Sequence, residues 1–140
     1  SRMLALDPIR LDVRPLLAAG HEPLPHILQA ADQVPLGGSF ELTAPFEPMP
    51  LYRVMRRQGF TAHAASREAG TWVVTFANTG ITPESLVSEV AARVPGTAPV
   101  LAAHHLDLCC GGGKSLAVVA AAHGLDLDAL LAELQARAEG

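Results

Sequence analysis

Polar and apolar positions alternate over Arg10-Leu-Asp-Val-Arg14, the period of a short half-buried strand, and Pro15 marks its end. From His21 to Val34 the period changes. Leu24, Ile27, Leu28 and Ala31 fall at helical spacing, and Pro23 and Pro25 sit in the first turn, where proline costs little. Gly37-Gly38 breaks this pattern, and Phe40–Thr43 reads as a second strand. Pro48 and Pro50 open a second helix with Leu51, Val54 and Met55 on one face, ended by Gly59. Phe60–Arg67 and Thr71–Ala77 then read as an antiparallel pair turned through Glu68-Ala-Gly70, with Trp72, Val74 and Phe76 on one face. The order β-α-β-α-β-β predicts a two-layer α/β sandwich over residues 3–78.

Asn78-Thr-Gly80 is the expected linker, and after it strand signals stop. Thr82-Pro83-Glu84 has the form of an N-cap, a first helical proline and a first-turn acid. Leu86, Val87, Val90 and Val94 make the stripe that follows, ended by Pro95-Gly96. A short helix is expected over Ala98–His105. Ser115 caps a third helix carrying Leu116, Val119 and Ala120, closed by Gly124. Asp126 caps a fourth with Leu127, Leu130, Leu131 and Leu134 inward. Residues 82–140 thus form a small all-α domain of three to four helices, so the fold class is α+β. No internal repeat is visible.

Composition adds little to this pattern. The 140 residues are 49% hydrophobic, 17% charged and only 4% aromatic, so the core rests on Ala, Leu and Val. A net charge of −4 without a Lys/Arg run argues against nucleic acid or an anionic membrane as partner. No apolar run reaches the roughly 20 residues of a membrane span, and no signal peptide is visible. With two adjacent cysteines and no disulfide framework, the expected compartment is the cytoplasm. No Ser/His/Asp arrangement, paired-carboxylate motif or H-E-x-x-H argues for an enzyme.

The chemistry concentrates at Cys109-Cys110-Gly-Gly-Gly-Lys-Ser115. Three glycines allow close backbone approach. A helix start and Lys114 favour a thiolate, which is the nucleophilic and metal-binding form. Cys109 and Cys110 are therefore the candidate reactive and metal-ligating residues, and Gly111, Gly112, Gly113 and Lys114 the candidate thiolate-stabilising ones. Two thiols are too few for a closed zinc or iron–sulfur site. Two chains meeting across a two-fold axis supply four; alternatively His104, His105 and Asp107 are the residues that complete a site within one chain, with His105 the candidate histidine ligand, and a strained vicinal disulfide is a third possibility. His104 and His105 are expected on different helix faces, so at most one joins. The expected cofactor is iron, zinc or an iron–sulfur cluster shared across a dimer. Gly113-Lys114-Ser115 also matches the end of a phosphate-binding loop, but Leu108 stands where that loop needs glycine, which argues against nucleotide binding.

Leu106-Asp-Leu-Cys-Cys-Gly-Gly, then Ser115-Leu116, then Gly124-Leu-Asp-Leu-Asp-Ala-Leu-Leu-Ala-Glu-Leu134, resembles the small N-terminal domain of the ScdA/YtfE iron–sulfur cluster repair proteins. The resemblance implies a role in nitrosative or oxidative stress, with Cys109 and Cys110 as the matching residues. Those proteins carry a di-iron helical bundle after this domain and this sequence shows none. Only the accessory domain carries over, with a homodimer, a hemerythrin-like protein or an iron–sulfur protein as expected partner.

Residues 10–77 resemble the uncharacterised branch of the TusA-like (SirA-like) family that often accompanies hemerythrin-like proteins. The resemblance rests on Leu11-Asp-Val-Arg14, Glu22-Pro-Leu-Pro25, Ile27-Leu28, Gly37 and Pro48-Met-Pro-Leu-Tyr52. Sulfur carriers of that fold place a persulfide-bearing cysteine where this chain has Glu22, so sulfur transfer through this domain is excluded. Some members of the branch carry histidine where this chain has Phe46, which removes the basis for a metal or heme role there. Asp12 with Arg14, and Glu47 with Tyr52, are left as a candidate polar ligand site.

Three readings stand at this point. The first is a stress-linked accessory module using the cysteine pair. The second is an interaction or dimerisation module without chemistry. The third is a small-ligand binder in a cleft between the domains.

Overall fold

The alternation in the first half becomes a four-stranded mixed sheet in the computed structural model, which describes residues 8–106 and 112–139. Strands β1 (Ile9–Asp12), β2 (Ser39–Ala44), β3 (Phe60–Ser66) and β4 (Trp72–Asn78) lie in the order β1-β2-β4-β3. β1 runs parallel to β2, pairing Ile9 with Phe40 and Asp12 with Thr43. β2 runs antiparallel to β4, pairing Phe40 with Phe76 and Leu42 with Val74. Every second residue of β2 is buried, namely Phe40, Leu42 and Ala44, as the period of two requires. The paired Phe40 and Phe76 rings stack at 5.0 Å. Such a pair adds about 0.5–1.5 kcal/mol beyond the area it buries.

Among the described residues, three α-helices accompany this sheet. α1 (Arg14–Ala18) is one the sequence pattern does not announce. Pro15 was expected to end a strand, but it sits in the first turn of α1, where its missing N–H is no loss. α2 (Leu24–Asp32) is shorter than the expected 21–34 and buries Ile27 and Ala31. α3 (Met49–Arg57) buries Leu51 and Met55.

Close packing divides the chain into two units. One takes Met55 and the residues before it together with Thr61–Asn78, and the other takes Arg56–Phe60 and the residues from Thr79 onward. The second unit is helical beyond Thr79, with α4 (Val87–Arg93), α5 (Ala98–Ala103), α6 (Leu116–Ala122) and α7 (Leu127–Glu139). Val87, Val90, Leu101, Leu116, Leu130 and Leu134 build its core with Ile81. The stretch after Asn78 is tightly held within this unit. Buried Thr79 donates its hydroxyl to the Gly59 carbonyl at 2.7 Å and accepts the Ile81 N–H at 3.2 Å.

Helix α4 starts at Val87, and the expected N-cap at Thr82 is not used as one. The reason is a pairing the sequence does not display. Leu86 and Ser115 form an antiparallel bridge. The Val87 and Ser88 N–H groups donate to the Lys114 and Gly112 carbonyls, at 3.0 and 2.9 Å. The Leu116 and Ala117 N–H groups donate to the Ser85 and Pro83 carbonyls, both at 2.9 Å. Each helix start thus satisfies the unpaired N–H groups of the other. The two sets of partners are offset by a constant 29 residues, giving a local two-fold relation.

Candidate functional site

Asp107, Cys109, Cys110 and Gly111 lie outside the described residues, which stop at Leu106 and resume at Gly112. The chain on either side is well defined. Leu106 is buried in the helical core, and its N–H donates to Leu101 O at 2.8 Å. Six residues on, the Gly112 carbonyl is tied to the second residue of α4. Gly112 is half-buried, whereas Gly113 and Lys114 are exposed.

The start of α6 was expected to offer free N–H groups to a thiolate. The first two, from Leu116 and Ala117, go to the paired segment, and the third, from Val118, goes to the Ser115 hydroxyl at 3.2 Å. Ser115 caps the helix as the sequence predicts, and in doing so helps to use up its donors. These three N–H groups at the start of α6 are therefore already donated within the chain.

The two histidines do not share a helix. α5 ends at Ala103, and His104 and His105 follow it. The expectation of two helix faces gives way to a helix-terminating motif. His105 N–H donates to Ala102 O and Leu106 N–H to Leu101 O, with His105 in the left-handed region at φ 60°. This is the Schellman arrangement, whose left-handed position is usually glycine. Gly20 after α1 and Gly124 after α6 fill the equivalent position with φ 79° and 66°. The side chains also differ. His104 Nε2 pairs with Glu133 Oε1 at 2.8 Å. The exposed His105 ring has no partner among the described residues, so of the two histidines it is the one left available as a ligand. Among the described residues, no group of three or more His, Cys, Asp or Glu is placed to hold a metal.

In the first unit the four polar candidates form two separate pairs. Arg14 grips Asp12 through Nε at 2.9 Å and Nη2 at 2.7 Å, and the Arg14 backbone N–H adds a bond at 3.0 Å. The Arg14 hydrogen bond holds the Asp12 carboxyl below its usual range, although the pair is exposed. Tyr52 donates its hydroxyl to Glu47 Oε2 at 3.0 Å and leans on Phe76. Burial first, and then the Glu47 carboxylate, push the Tyr52 pKa up to about 12. No described hydrogen bond or ion pair joins the two pairs into one site. Each has a structural role, the first at the entry to α1 and the second against the sheet core.

Pattern reading missed a groove in the same unit. It has a volume of about 260 Å³ between α1, α2, the start of α3 and the inner sheet face, and Phe46 and Val54 form part of its rim. Its cue was present in the sequence as proline and phenylalanine in Glu22-Pro23 and Phe46-Glu-Pro48-Met-Pro50, but only the fold brings these segments together.

Among the described residues, no helix is long and apolar enough to cross a membrane. Residues 10–78 match the family described as Uncharacterized conserved protein (DUF2249). Residues 83–138 match ScdA_N, described as Domain of Unknown function (DUF542). Neither the curated proteins nor the solved structures give a match.

Proposed function

We propose that this chain, a fusion of a DUF2249 domain with an ScdA_N domain, is an accessory protein of iron–sulfur cluster repair or of the response to nitrosative and oxidative stress. The match of residues 83–138 to ScdA_N carries the reading, because it spans the Cys109-Cys110 motif. In this reading the cysteine pair contacts a metal or cluster, or exchanges disulfides.

The donor chemistry fits a thiophilic ion. Thiolates bind zinc and iron, and imidazole suits both. Within one chain Cys109, Cys110 and His105 are the donors, and a second chain brings the thiolates to four. Zinc held there would supply Lewis acidity, and iron would supply Lewis acidity or an electron. The chain's own residues set its access and charge. Lys114 contributes positive charge near the motif, and the Gly112 carbonyl, tied to α4, fixes where the chain leaves it. The first domain has Glu22 in place of a sulfur-carrying thiol, so its part is to bind a partner or a ligand.

Anaerobic titration with Co²⁺ tests the reading, since cobalt bound by thiolate shows an intense near-ultraviolet charge-transfer band. That band is expected in the parent, weaker in His105→Ala and absent in Cys109→Ser/Cys110→Ser. A parent spectrum identical to that of the double variant would defeat metal contact.

A further inference from the structure

The groove of the first unit belongs to none of the chemistry above. Val13, Leu17, Leu24, Ile27, Leu42 and Leu51 make its apolar walls. Among the described residues Glu22 is the one charged residue of its lining, an exposed carboxylate with no ion-pair or hydrogen-bond partner there.

The backbone around it offers little to an anion. Pro23, Pro48 and Pro50 line the groove and carry no N–H. The N–H groups of Val13, Leu17, Ile27 and Leu51 are already donated to the carbonyls of Thr43, Val13, Pro23 and Pro48. A carboxylate accepts hydrogen bonds but gives none. The chemistry therefore favours a ligand with an apolar body and a hydrogen-bond-donating, positively charged end. Size narrows it further. At about 260 Å³ the groove lies just below the usual range of ligand pockets, roughly 300–1,000 Å³, so it suits a small molecule better than a peptide segment.

We propose that this groove is a binding site for a small amphipathic organic cation, an alkyl ammonium or guanidinium compound, whose charged end meets Glu22 and whose hydrocarbon lies among Phe46, Leu51 and Val54. Phe46 and Val54, half-exposed apolar side chains on the rim, lose their contact with water when it binds.

The probes are hexylammonium, 1-hexanol and hexanoate, titrated into the full chain at pH 8 and followed by backbone amide chemical shifts. Hexylammonium is expected to move the Leu24, Phe46 and Val54 resonances saturably and to bind roughly fivefold more tightly than 1-hexanol, the scale of one solvent-exposed charge pair. Hexanoate is expected to be the weakest. In Glu22→Gln, hexylammonium falls to the level of 1-hexanol while 1-hexanol itself is unchanged. Phe46→Ser weakens both, and neither exposed substitution disturbs the remaining spectrum. Equal binding of all three probes, tighter binding of hexanoate, indifference to Glu22→Gln, or no saturable binding at all would each overturn the assignment.

Discussion

The side-chain amide of Gln135 donates to the carbonyl of Ile81 at 2.8 Å and, through the same nitrogen, to the carbonyl of Arg56 at 2.8 Å. Gln135 lies on α7 and is 1% exposed. One side chain thus ties three separate stretches of the second unit together, with Ile81 and Arg56 lying 54 and 79 residues before Gln135 in the sequence. A buried carbonyl left without a donor costs about 1–3 kcal/mol. Gln135→Met keeps the volume and removes both bonds, so a loss of about 2 kcal/mol or more is expected in chemical denaturation followed by far-ultraviolet circular dichroism. A change near zero would mean that water replaces the amide.

Gly59 sits at φ 96°, and a Cβ added there would approach the Thr82 methyl at 3.3 Å. The left-handed backbone and the crowding act in the same direction. Gly59→Ala should lower stability by roughly 1–3 kcal/mol. Gly70→Ala is the comparison, since it also has positive φ but has open space around it. The difference between the two variants, read by the same denaturation, isolates the crowding.

His105 occupies a position where Gly20 and Gly124 show the preferred residue. His105→Gly should therefore stabilise the second unit by about 0.5–1 kcal/mol, because glycine enters the left-handed region without the Cβ penalty. If His105 is a ligand, the same variant loses metal affinity while gaining stability. Thermal unfolding beside cobalt titration reads both effects, and a variant that gains stability with unchanged affinity assigns His105 to the turn alone.

Tyr52 is the single tyrosine, so tyrosinate absorbance reports it without overlap. Its folded pKa is raised from 10.0 to about 12. The protonated phenol is the form the fold favours, so its stabilising contribution is complete below pH 10 and is lost as pH rises toward 12. The midpoint should fall in Glu47→Gln but stay above 10, because burial, the larger cause, remains. A parent midpoint near 10 with the fold intact would contradict the burial of the ring, and a midpoint unmoved by Glu47→Gln would contradict the Glu47 contact.

Much of this architecture is legible in local pattern. The alternation of Phe40, Leu42 and Ala44 marks β2, and Ser115, Gly124 and Asp126 punctuate the helices where the structure uses them. What escapes local reading is decided by distant partners. Thr82-Pro83-Glu84 has good helix-start chemistry, yet the chain turns there because the Pro83 and Ser85 carbonyls are needed by Ala117 and Leu116. His104 and His105 look helical by continuation from Val100 and Leu101, but the helix ends when His105 turns left-handed. Asp12–Arg14 and Glu47–Tyr52 were correctly seen as polar pairs, since each is close in sequence. Whether a ligand joins them depends on long-range geometry, and among the described residues each pair is closed on itself, Arg14 on Asp12 and Tyr52 on Glu47. The cysteine motif itself was recognisable only as a motif, and Cys109 and Cys110 lie outside the described residues.

The proposed function stands on the cysteine pair performing the chemistry of the second domain. Metal and thiol content of anaerobically purified protein, measured beside Cys109→Ser/Cys110→Ser, tests it most directly. Iron or zinc is expected at about half to one equivalent per chain, lost in the variant, with half marking a site shared by two chains. Metal-free protein whose two thiols titrate freely with the reactivity of ordinary cysteine would contradict it, and would leave the domain as an interaction module.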